Sequence, residues 1–286
     1  MKNIDIINFL KTNQVNFSKR QRLIADYIIE NYDKAAFMTA AMLSETVGVS
    51  ESTVVRFAAE IGFDGYQNMQ KRLREVTISQ STSLKRMEIA KRQLSGSDIL
   101  TSVLKSDIRM IEQTLSQIDK EQFDGAVEAI LKAENIYITG VRSSRSLATF
   151  CEFYFRLMFN NTKLISTADP ADMFEQALRI NKNDVIIGMS FPRYSKNTIK
   201  LLGYAKKSGA VVIGITDSKN SPVVPLSDFV LTAKSDMDSF VDSLVAPFSV
   251  VNALIAALAM KNADQISETF EDLERIWDEY DVYDKI

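Results

Sequence analysis

Short apolar runs recur between residues 135 and 231, and segments of helical length separate them. Runs such as NIYIT, DVIIGM and VVIGIT are rich in β-branched residues and nearly free of polar ones, which is typical of strands buried on both faces of a sheet. Strands that alternate with helices pair in parallel, because each helix returns the chain to the starting edge. The pattern predicts five strands, at residues 135–139, 163–166, 184–189, 211–216 and 229–231.

Helices are predicted on both sides of these strands. Residues 98–133 carry helical periodicity ahead of the first strand, and residues 264–284 keep an apolar stripe that suits docking onto the body or onto a second subunit. The body is therefore predicted to be an α/β doubly wound parallel sheet covered on both faces. The helices predicted between and after the strands span residues 144–159, 170–178, 196–208 and 239–261.

Three loops at the carboxyl ends of predicted strands share hydroxyl side chains. They span residues 140–144, 190–195 and 216–218, at the edge where ligands of such sheets bind. Hydroxyls and backbone amides at helix N-termini bind phosphate, and Arg142 and Arg193 add positive charge. For any one loop, serines that cap a helix explain the composition better. The repetition at one edge favours an anion site.

The stretch 41–66, AMLSETVGVSESTVVRFAAEIGFDGY, reads as two short helices joined by a tight turn. Gly48 is placed to end the first helix in a left-handed conformation, and Ser50 is placed to cap the second. Apolar residues on the inward faces are Met42, Leu43, Val47, Val54, Phe57, Ala58 and Ile61. Residues at the start or on the outer face of the second helix are Ser50, Ser52, Thr53 and Arg56. Such a helix suits the DNA major groove, although an ordinary helical hairpin has the same spacing.

Basic residues flank this stretch on both sides. The first turn of a predicted helix carries Lys19, Arg20 and Arg22. Cations at a helix N-terminus interact unfavourably with the helix dipole, and a bound DNA phosphate would offset that repulsion. Lys71 and Arg72 lie on the helix that follows the stretch and are candidate backbone contacts. A solvated basic turn is an equally good reading of the first group. The earlier helix, over residues 18–31, is predicted to face inward with Leu23, Ile24, Tyr27 and Ile28.

Charge divides the chain into unlike parts. Residues 1–95 hold 14 Lys and Arg against 10 Asp and Glu, whereas residues 96–286 hold 20 against 27. The first part therefore favours a polyanion partner, and the second does not. A stretch rich in Ser, Thr and Gln after residue 76 marks the boundary. The predicted domains are residues 1–77 for DNA binding, 78–108 for a linker and 109–286 for the body.

Several chemistries are excluded or disfavoured by what the chain lacks. With no histidine and the single cysteine Cys151, a zinc site is disfavoured, and triads that need histidine are excluded. Cys151 falls in an apolar helical run and is expected to be a buried thiol. Neither a metal nor a cofactor is expected. The longest apolar run, 244–260, is short and carries polar residues, and the N-terminus lacks the pattern of a signal peptide, so the cytoplasm is expected.

The chain resembles the RpiR family of bacterial transcription regulators over nearly its whole length. The resemblance rests on four segments in one order: LSETVGVSESTVVRFAAEIGFDGY at 43–66, ITGVRSSRS at 138–146, DVIIGMSFPRYSKNT at 184–198, and VIGITDSKNSPV at 212–223. It implies an all-α helix-turn-helix head followed by a flavodoxin-like sugar isomerase (SIS) domain. It also implies a dimer that binds a double-stranded DNA operator, and whose affinity changes when a phosphorylated sugar occupies the body.

SIS domains commonly hold phosphate with a Gly-x-Gly-Ser-Ser turn and a Ser-x-Ser-Gly-x-Thr turn. In this sequence the matching hydroxyls are Ser143, Ser144, Ser190 and Ser195. The sequence departs from the pattern at Arg142 and Arg193, which stand where glycine is usual, and at Pro192, which replaces the middle serine. The two arginines either bind the anion more tightly or fill the pocket. The first interpretation is preferred, because placing two guanidinium groups at one pocket without an anion costs free energy.

Two further functions compete with a non-enzymatic, sugar-responsive regulator, expected to be a repressor. A sugar-phosphate isomerase with an accessory helical domain needs an acid and a base, and the candidates are Glu152, Glu175 and Asp217. None of them lies in a convincing motif, and Asp217 is better explained as a turn residue that caps backbone amides. The other alternative is a sugar-phosphate sensor that acts through a protein partner, with the acidic C-terminal segment as its surface.

Overall fold

The computed structural model of the chain divides into two compact units, Met1–Ile89 and Ala90–Ile286. Parts of the predicted linker, at residues 81–85, 89–90 and 92–97, lie outside the described residues. The predicted boundaries at residues 77 and 108 fall inside helices. The structure describes residues 6–80, 86–88, 91, 98–167, 169–236 and 241–283.

Helices build the described part of the first unit, and hydroxyl caps set where several of them begin. Ser18 and Gln21 form a reciprocal capping box, Thr39 accepts a hydrogen bond from the Met42 amide, and Ser50 accepts one from the Thr53 amide. A single 3₁₀ turn, Gln14–Asn16, links the first two helices. The helices are α1 Ile6–Asn13, α2 Lys19–Glu30, α3 Tyr32–Ala35, α4 Ala40–Val47, α5 Glu51–Glu60 and α6 Gly65–Gln80.

The core of this unit confirms most of the predicted inward faces. Two side chains predicted to face inward are wrong, because Leu23 is 46% exposed and Met42 is 51% exposed. On α2 the buried face is Ile24, Ala25 and Ile28, so Leu23 lies on its flank. The larger buried side chains of the core are Ile6, Leu10, Ile24, Ile28, Leu43, Val54, Phe57, Met69 and Leu73.

A five-stranded sheet forms the centre of the second unit, as predicted. All neighbouring strands pair in parallel, and their order is β2-β1-β3-β4-β5, which is the flavodoxin-like order. Each predicted strand is present to within one residue at either end. The strands are β1 Ile136–Gly140, β2 Thr162–Ile165, β3 Val185–Met189, β4 Val211–Thr216 and β5 Phe229–Thr232.

Helices cover both faces of the sheet. One prediction is wrong in its start: the helix expected from residue 239 begins at Val245, whereas residues 241–244 are not helical, and 237–240 lie outside the described residues. A 3₁₀ turn, Val224–Leu226, precedes the last strand. The helices are α7 Ile99–Gln117, α8 Lys120–Lys132, α9 Ser144–Met158, α10 Pro170–Gln176, α11 Lys196–Lys207, α12 Val245–Lys261 and α13 Ala263–Glu279.

Alternate strand residues belong to two separate cores, because successive side chains of a strand point to opposite faces of the sheet. Ile136, Ile138 and Ile187 pack under α8, α9 and α12, whereas Tyr137 and Ile186 pack under α10 and α11. Cys151 is fully buried in the first core, and burial raises the pKa of its thiol, which confirms the expectation of a structural residue.

No single helix of the described chain has the length and apolar composition needed to cross a membrane. The segments Val245–Lys261 and Ile266–Glu279 meet those criteria only when they are joined across a bend of 101°.

Candidate functional site

The strand order reverses between β1 and β3, and the loops that carry the predicted anion-binding residues leave the sheet at that point. Gly140, the last residue of β1, lies opposite Met189, the last residue of β3. From there the chain passes into α9 on one face of the sheet and into α11 on the other. The crevice outside such a switch point is where doubly wound sheets bind ligands.

The loop after β1 is tightly folded against the start of α9. A Cβ atom at Gly140 would lie 2.6 Å from the carbonyl oxygen of Ser144, so only glycine fits there. Arg142 and Ser143 are exposed, whereas Ser144 is 5% exposed at the first position of α9. The predicted residues of this loop therefore divide into an exposed cation and hydroxyl, and a buried hydroxyl at the helix N-terminus.

The loop after β3 is built around two serines. Ser190 is 3% exposed, and its hydroxyl accepts a hydrogen bond from the amide of Ser195 at 3.3 Å. Ser195 caps α11 by accepting from the Thr198 amide, so its oxygen already has a structural role. The hydroxyl of Thr198 is buried, and no described residue hydrogen-bonds its Oγ1. A buried hydroxyl without a protein partner is left for water or a ligand, and the sequence reasoning missed this residue.

Arg142 and Arg193 both adopt the left-handed backbone region. Their φ angles are 57° and 63°, and the one other described non-glycine residue with positive φ is Asp281. This conformation costs an L-residue about 1–2 kcal/mol, and glycine adopts it without that cost. The loops thus keep the backbone that glycine would favour, while each presents an exposed arginine side chain. Strained non-glycine residues gather at functional sites when the side chain is needed there.

A third loop joins the second through hydroxyl and carboxyl groups. The hydroxyl of Thr216 donates to the carbonyl of Ser190 at 2.8 Å, and the hydroxyl of Tyr194 donates to Asp217 Oδ1 at 2.8 Å. Burial raises the pKa of Asp217, with the hydrogen bond from Tyr194 opposing it. Burial, followed by the charge of Asp217, raises the pKa of Tyr194 above its ordinary value. Tyr194 was not among the predicted site residues, although it lies inside the segment SFPRYS.

The carboxylates considered for acid–base chemistry do not share this arrangement. Glu152 forms an ion pair with Arg156 within α9 at 3.3 Å, and Glu175 is exposed on α10. Asp217 alone of the three lies in the candidate site, where it accepts a hydrogen bond from the Tyr194 hydroxyl. No cluster of three or more Asp, Glu or Cys side chains suited to a metal ion occurs within the described ranges. The site therefore offers hydroxyls, helix N-termini and two guanidinium groups, which suit an anion.

In the first unit, α4 and α5 form the predicted pair of helices. Gly48 ends α4 with φ 72° and ψ 38°, which is the left-handed cap expected from the sequence. Ser50 caps α5, and its hydroxyl lies 3.0 Å from the Ser52 hydroxyl and 2.7 Å from that of Thr53. These three hydroxyls form one cluster at the start of α5. Ser50 and Ser52 are exposed, and Thr53 is half-buried.

The outer face of α5 adds one residue that the sequence reasoning missed. Arg56 is exposed, and its Nε donates to the Ser52 carbonyl at 3.3 Å. Val55 beside it is 42% exposed, although it is a large apolar residue on the surface of a small helical unit. The signal for Val55 in the sequence is its position three residues after Ser52, a spacing that places both residues on one face of a helix. An exposed valine beside an arginine suits the methyl group of thymine as well as base edges.

The flanking basic residues differ in how they are held. Lys19 and Arg20 are exposed, and a hydrogen bond from Gln21 to Glu60 places this turn beside the C-terminal end of α5. Arg22 donates to the carbonyls of Phe17 and Val15, so it also holds the preceding loop. On α6, Lys71 is exposed and Arg72 is half-buried, and both remain predicted contacts.

Comparison with known proteins finds a known domain family in each unit. The model of the helix-turn-helix domain of the rpiR family matches residues 4–81, and the SIS domain model matches residues 129–257. An uncharacterised HTH-type transcriptional regulator of Clostridium perfringens is 27% identical over 231 residues, which are 80% of this chain and 82% of that protein.

Two solved structures resemble the chain as well. The sugar isomerase domain of the RpiR transcription factor from Sphaerobacter thermophilus is 27% identical, with a TM-score of 0.59, and covers 61% of this chain and 97% of its own. The Vibrio vulnificus NanR protein, complexed with ManNAc-6P, is 26% identical, with a TM-score of 0.58, over 95% of this chain and 99% of its own.

Proposed function

We propose a function from one premise: this chain belongs to the RpiR family of transcriptional regulators, which join a helix-turn-helix domain to a SIS domain. Within that role, α5 reads operator DNA, and a phosphorylated sugar bound at the β1–β3 switch point changes the affinity for that DNA. The observation that carries the proposal is the pair of loops at that switch point, each with a buried serine and an exposed arginine at positive φ, in a chain whose other unit is a capped helix-turn-helix.

The proposed DNA contacts follow from exposure on α5. Ser52 and Arg56 reach base edges in the major groove, and Val55 packs against thymine methyl groups. Lys19, together with its basic neighbours on α2, contacts phosphates. Phosphate contacts fix the position on DNA and carry no sequence information, so specificity rests on α5.

The proposed effector site uses the two loops at the switch point. The amides at the start of α9 and α11 and the hydroxyls of Ser144 and Ser190 hold a phosphate, and Arg142 and Arg193 pair with it or with a second anionic group. Resemblance to a regulator solved with ManNAc-6P supports a sugar phosphate as the ligand class. An effector changes DNA affinity only if it binds two arrangements of the protein unequally.

The proposal also includes a cellular compartment, the direction of regulation and an oligomeric state. We place the protein in the cytoplasm, where operator DNA is, and assign it repression by a homodimer, since two α5 helices one DNA turn apart match a palindromic operator. No enzymatic activity is required for this role.

Fluorescence anisotropy with labelled operator DNA tests the DNA half of the proposal. Arg56→Ala is expected to weaken specific binding by about 1–3 kcal/mol while leaving sugar-phosphate binding intact. Lys11→Ala, an exposed basic residue outside the candidate set, is the matched control and should weaken specific and non-specific DNA equally. Unchanged operator affinity in Arg56→Ala contradicts the assignment of α5.

A thermal-shift screen of sugar phosphates, repeated with operator DNA present, tests the effector half. Combining Ser144→Ala and Ser190→Ala should abolish the response to the sugar phosphate that binds, and leave DNA binding without effector unchanged. Ser267→Ala, at an exposed serine on α13 of the same unit, is the matched control. A normal response in the double variant places the phosphate elsewhere.

One observation favours a second candidate function, a sugar-phosphate isomerase. The raised pKa of Asp217, beside Tyr194 in the candidate site, is a property of carboxyl groups that act as general acids. Aldose–ketose turnover on a panel of sugar phosphates, abolished in Asp217→Asn, supports that function. Absence of turnover with a ligand that does bind supports the regulator.

A further inference from the structure

Helix α7 is amphipathic in the opposite sense to an ordinary surface helix. A helix on a globular body normally buries its apolar stripe and exposes its polar face. The residues of α7 that are buried against the rest of the second unit include Ser106, Met110 and Thr114. Its exposed apolar residues form one stripe at three- and four-residue spacing: Leu100, Leu104, Ile108, Ile111 and Leu115.

Specific polar contacts hold the buried side of α7 in place. The hydroxyl of Thr114 accepts the backbone amide of Lys234 at 2.9 Å, and the hydroxyl of Ser243 donates to Asp107 at 2.7 Å. The sulfur of Met110 accepts the Asp236 amide at 3.3 Å. The helix therefore cannot turn its stripe inward without losing these bonds, and the orientation is fixed by the fold.

The exposed stripe runs along most of α7. Leu104 is 53% exposed, Ile108 is 56% exposed and Leu115 is 78% exposed. A helix of this length extends about 28 Å, and the stripe spans most of it. Contiguous apolar surface of this kind, bordered by polar residues, marks an interaction site.

We propose that this stripe, from Leu100 to Leu115, pairs antiparallel with the same stripe of a second copy of the chain. The order of residues is nearly palindromic about Ile108, since Leu104 and Ile111 lie on either side of it at four and three residues. A two-fold axis near Ile108 places Leu100 against Leu115 of the other copy. A self-complementary patch is what an isologous dimer requires.

Charge on the flank of the stripe matches the same axis. Lys105 and Glu112 are exposed and seven residues apart, so they lie on one flank of α7. A two-fold axis between antiparallel helices turns that flank onto the same flank of the second copy. Each Lys105 then faces the other copy's Glu112, whereas parallel pairing of the helices would not bring this flank together. This complementarity selects a second copy as the occupant.

The proposal names the surface of the homodimer proposed above and rests on that dimer, but on none of the binding roles. Sedimentation equilibrium of the full chain, without DNA or sugar phosphate, tests it. Ile108→Glu places two like charges at the axis and is expected to weaken the dimer by about 100-fold or more, since like charges that face each other across an interface oppose association. Leu178→Glu, a change at a site 71% exposed on the same unit, is the matched control and should leave the dimer unchanged.

Charge reversal gives a second readout that depends on register. Lys105→Glu alone, or Glu112→Lys alone, should weaken the dimer, and combining the two in one chain should restore it. Circular dichroism of each variant checks that the fold is kept. A wild-type chain that stays monomeric overturns the dimer itself. A dimer that survives Ile108→Glu, or a double reversal that fails to restore it, overturns this surface while leaving the DNA and effector roles standing.

Discussion

Replacing Arg142 or Arg193 by glycine should change stability and anion binding in opposite directions. Both residues hold left-handed backbone angles, with φ of 57° and 63°, in the two loops of the candidate effector site. If the arginines are retained for an anion, glycine relieves the backbone cost and removes the ligand contact. If they only fill the pocket, glycine leaves anion affinity unchanged or raises it.

The magnitudes follow from the backbone and from the lost contact. The left-handed conformation costs an L-residue about 1–2 kcal/mol, and glycine removes that cost. The greater conformational freedom of glycine in the unfolded chain offsets roughly 0.5–1 kcal/mol of this gain. Each replacement should therefore stabilise the second unit by about 0.5–1 kcal/mol, which is about 1–4 °C in Tm for a unit of this size. Loss of a hydrogen bond between a charged pair costs about 1.5–3 kcal/mol, or roughly 10- to 150-fold in Kd.

Urea denaturation and isothermal titration calorimetry with the sugar phosphate identified by screening measure the two effects. Arg142→Lys is the charge control: it keeps the cation and the strained backbone, so it should keep the stability and part of the affinity. Lys200→Gly is the backbone control, because Lys200 is exposed in the interior of α11 and glycine there should destabilise by about 1 kcal/mol. If the two glycine variants lose stability as well, the strain argument is wrong. If they bind sugar phosphate as well as the wild type, the arginines do not hold the anion.

Two other predictions concern a helix end and a buried carboxyl. Gly48→Ala should destabilise the first unit by about 1–2 kcal/mol in urea denaturation, and Gly48→Asn should destabilise it less. A Cβ atom added at Gly48 would meet no other atom within 4 Å, so the whole cost is backbone conformation. An alanine variant with the unfolding free energy of the wild type would contradict this reasoning. Asp217→Asn keeps an acceptor for Tyr194 and removes a carboxyl whose pKa is raised in the folded state. A raised carboxyl pKa makes folding less favourable as pH rises through and above the ordinary value, so the variant should gain stability relative to the wild type as the pH rises above about 4. A difference that is flat with pH would contradict the burial of this group.

Much of the fold is determined by local sequence. The strands β1, β3 and β4 are apolar runs that cannot face water on either side, and the helices between them leave a parallel sheet as the arrangement. Gly48 and Ser50 end and begin helices for reasons contained within four residues of chain, and both were predicted. The edge that carries the candidate site follows from topology alone, since all five strands point the same way.

Other features depend on contacts between segments far apart in the sequence. The bond between Tyr194 and Asp217 joins loops that follow different strands, and no local pattern marks it. The start of α12 at Val245 was predicted six residues early. Leu23 belongs to a periodic apolar set, yet α2 is rotated so that Ala25 is buried in its place.

The sequence by itself determined a parallel α/β body, a capped helix pair and two arginines where glycine is usual. The tertiary structure decided that these arginines are held at positive φ, and that α7 turns its leucines and isoleucines outward. The reason is physical: periodicity determines which residues share a face, but only packing against other elements decides which face is buried.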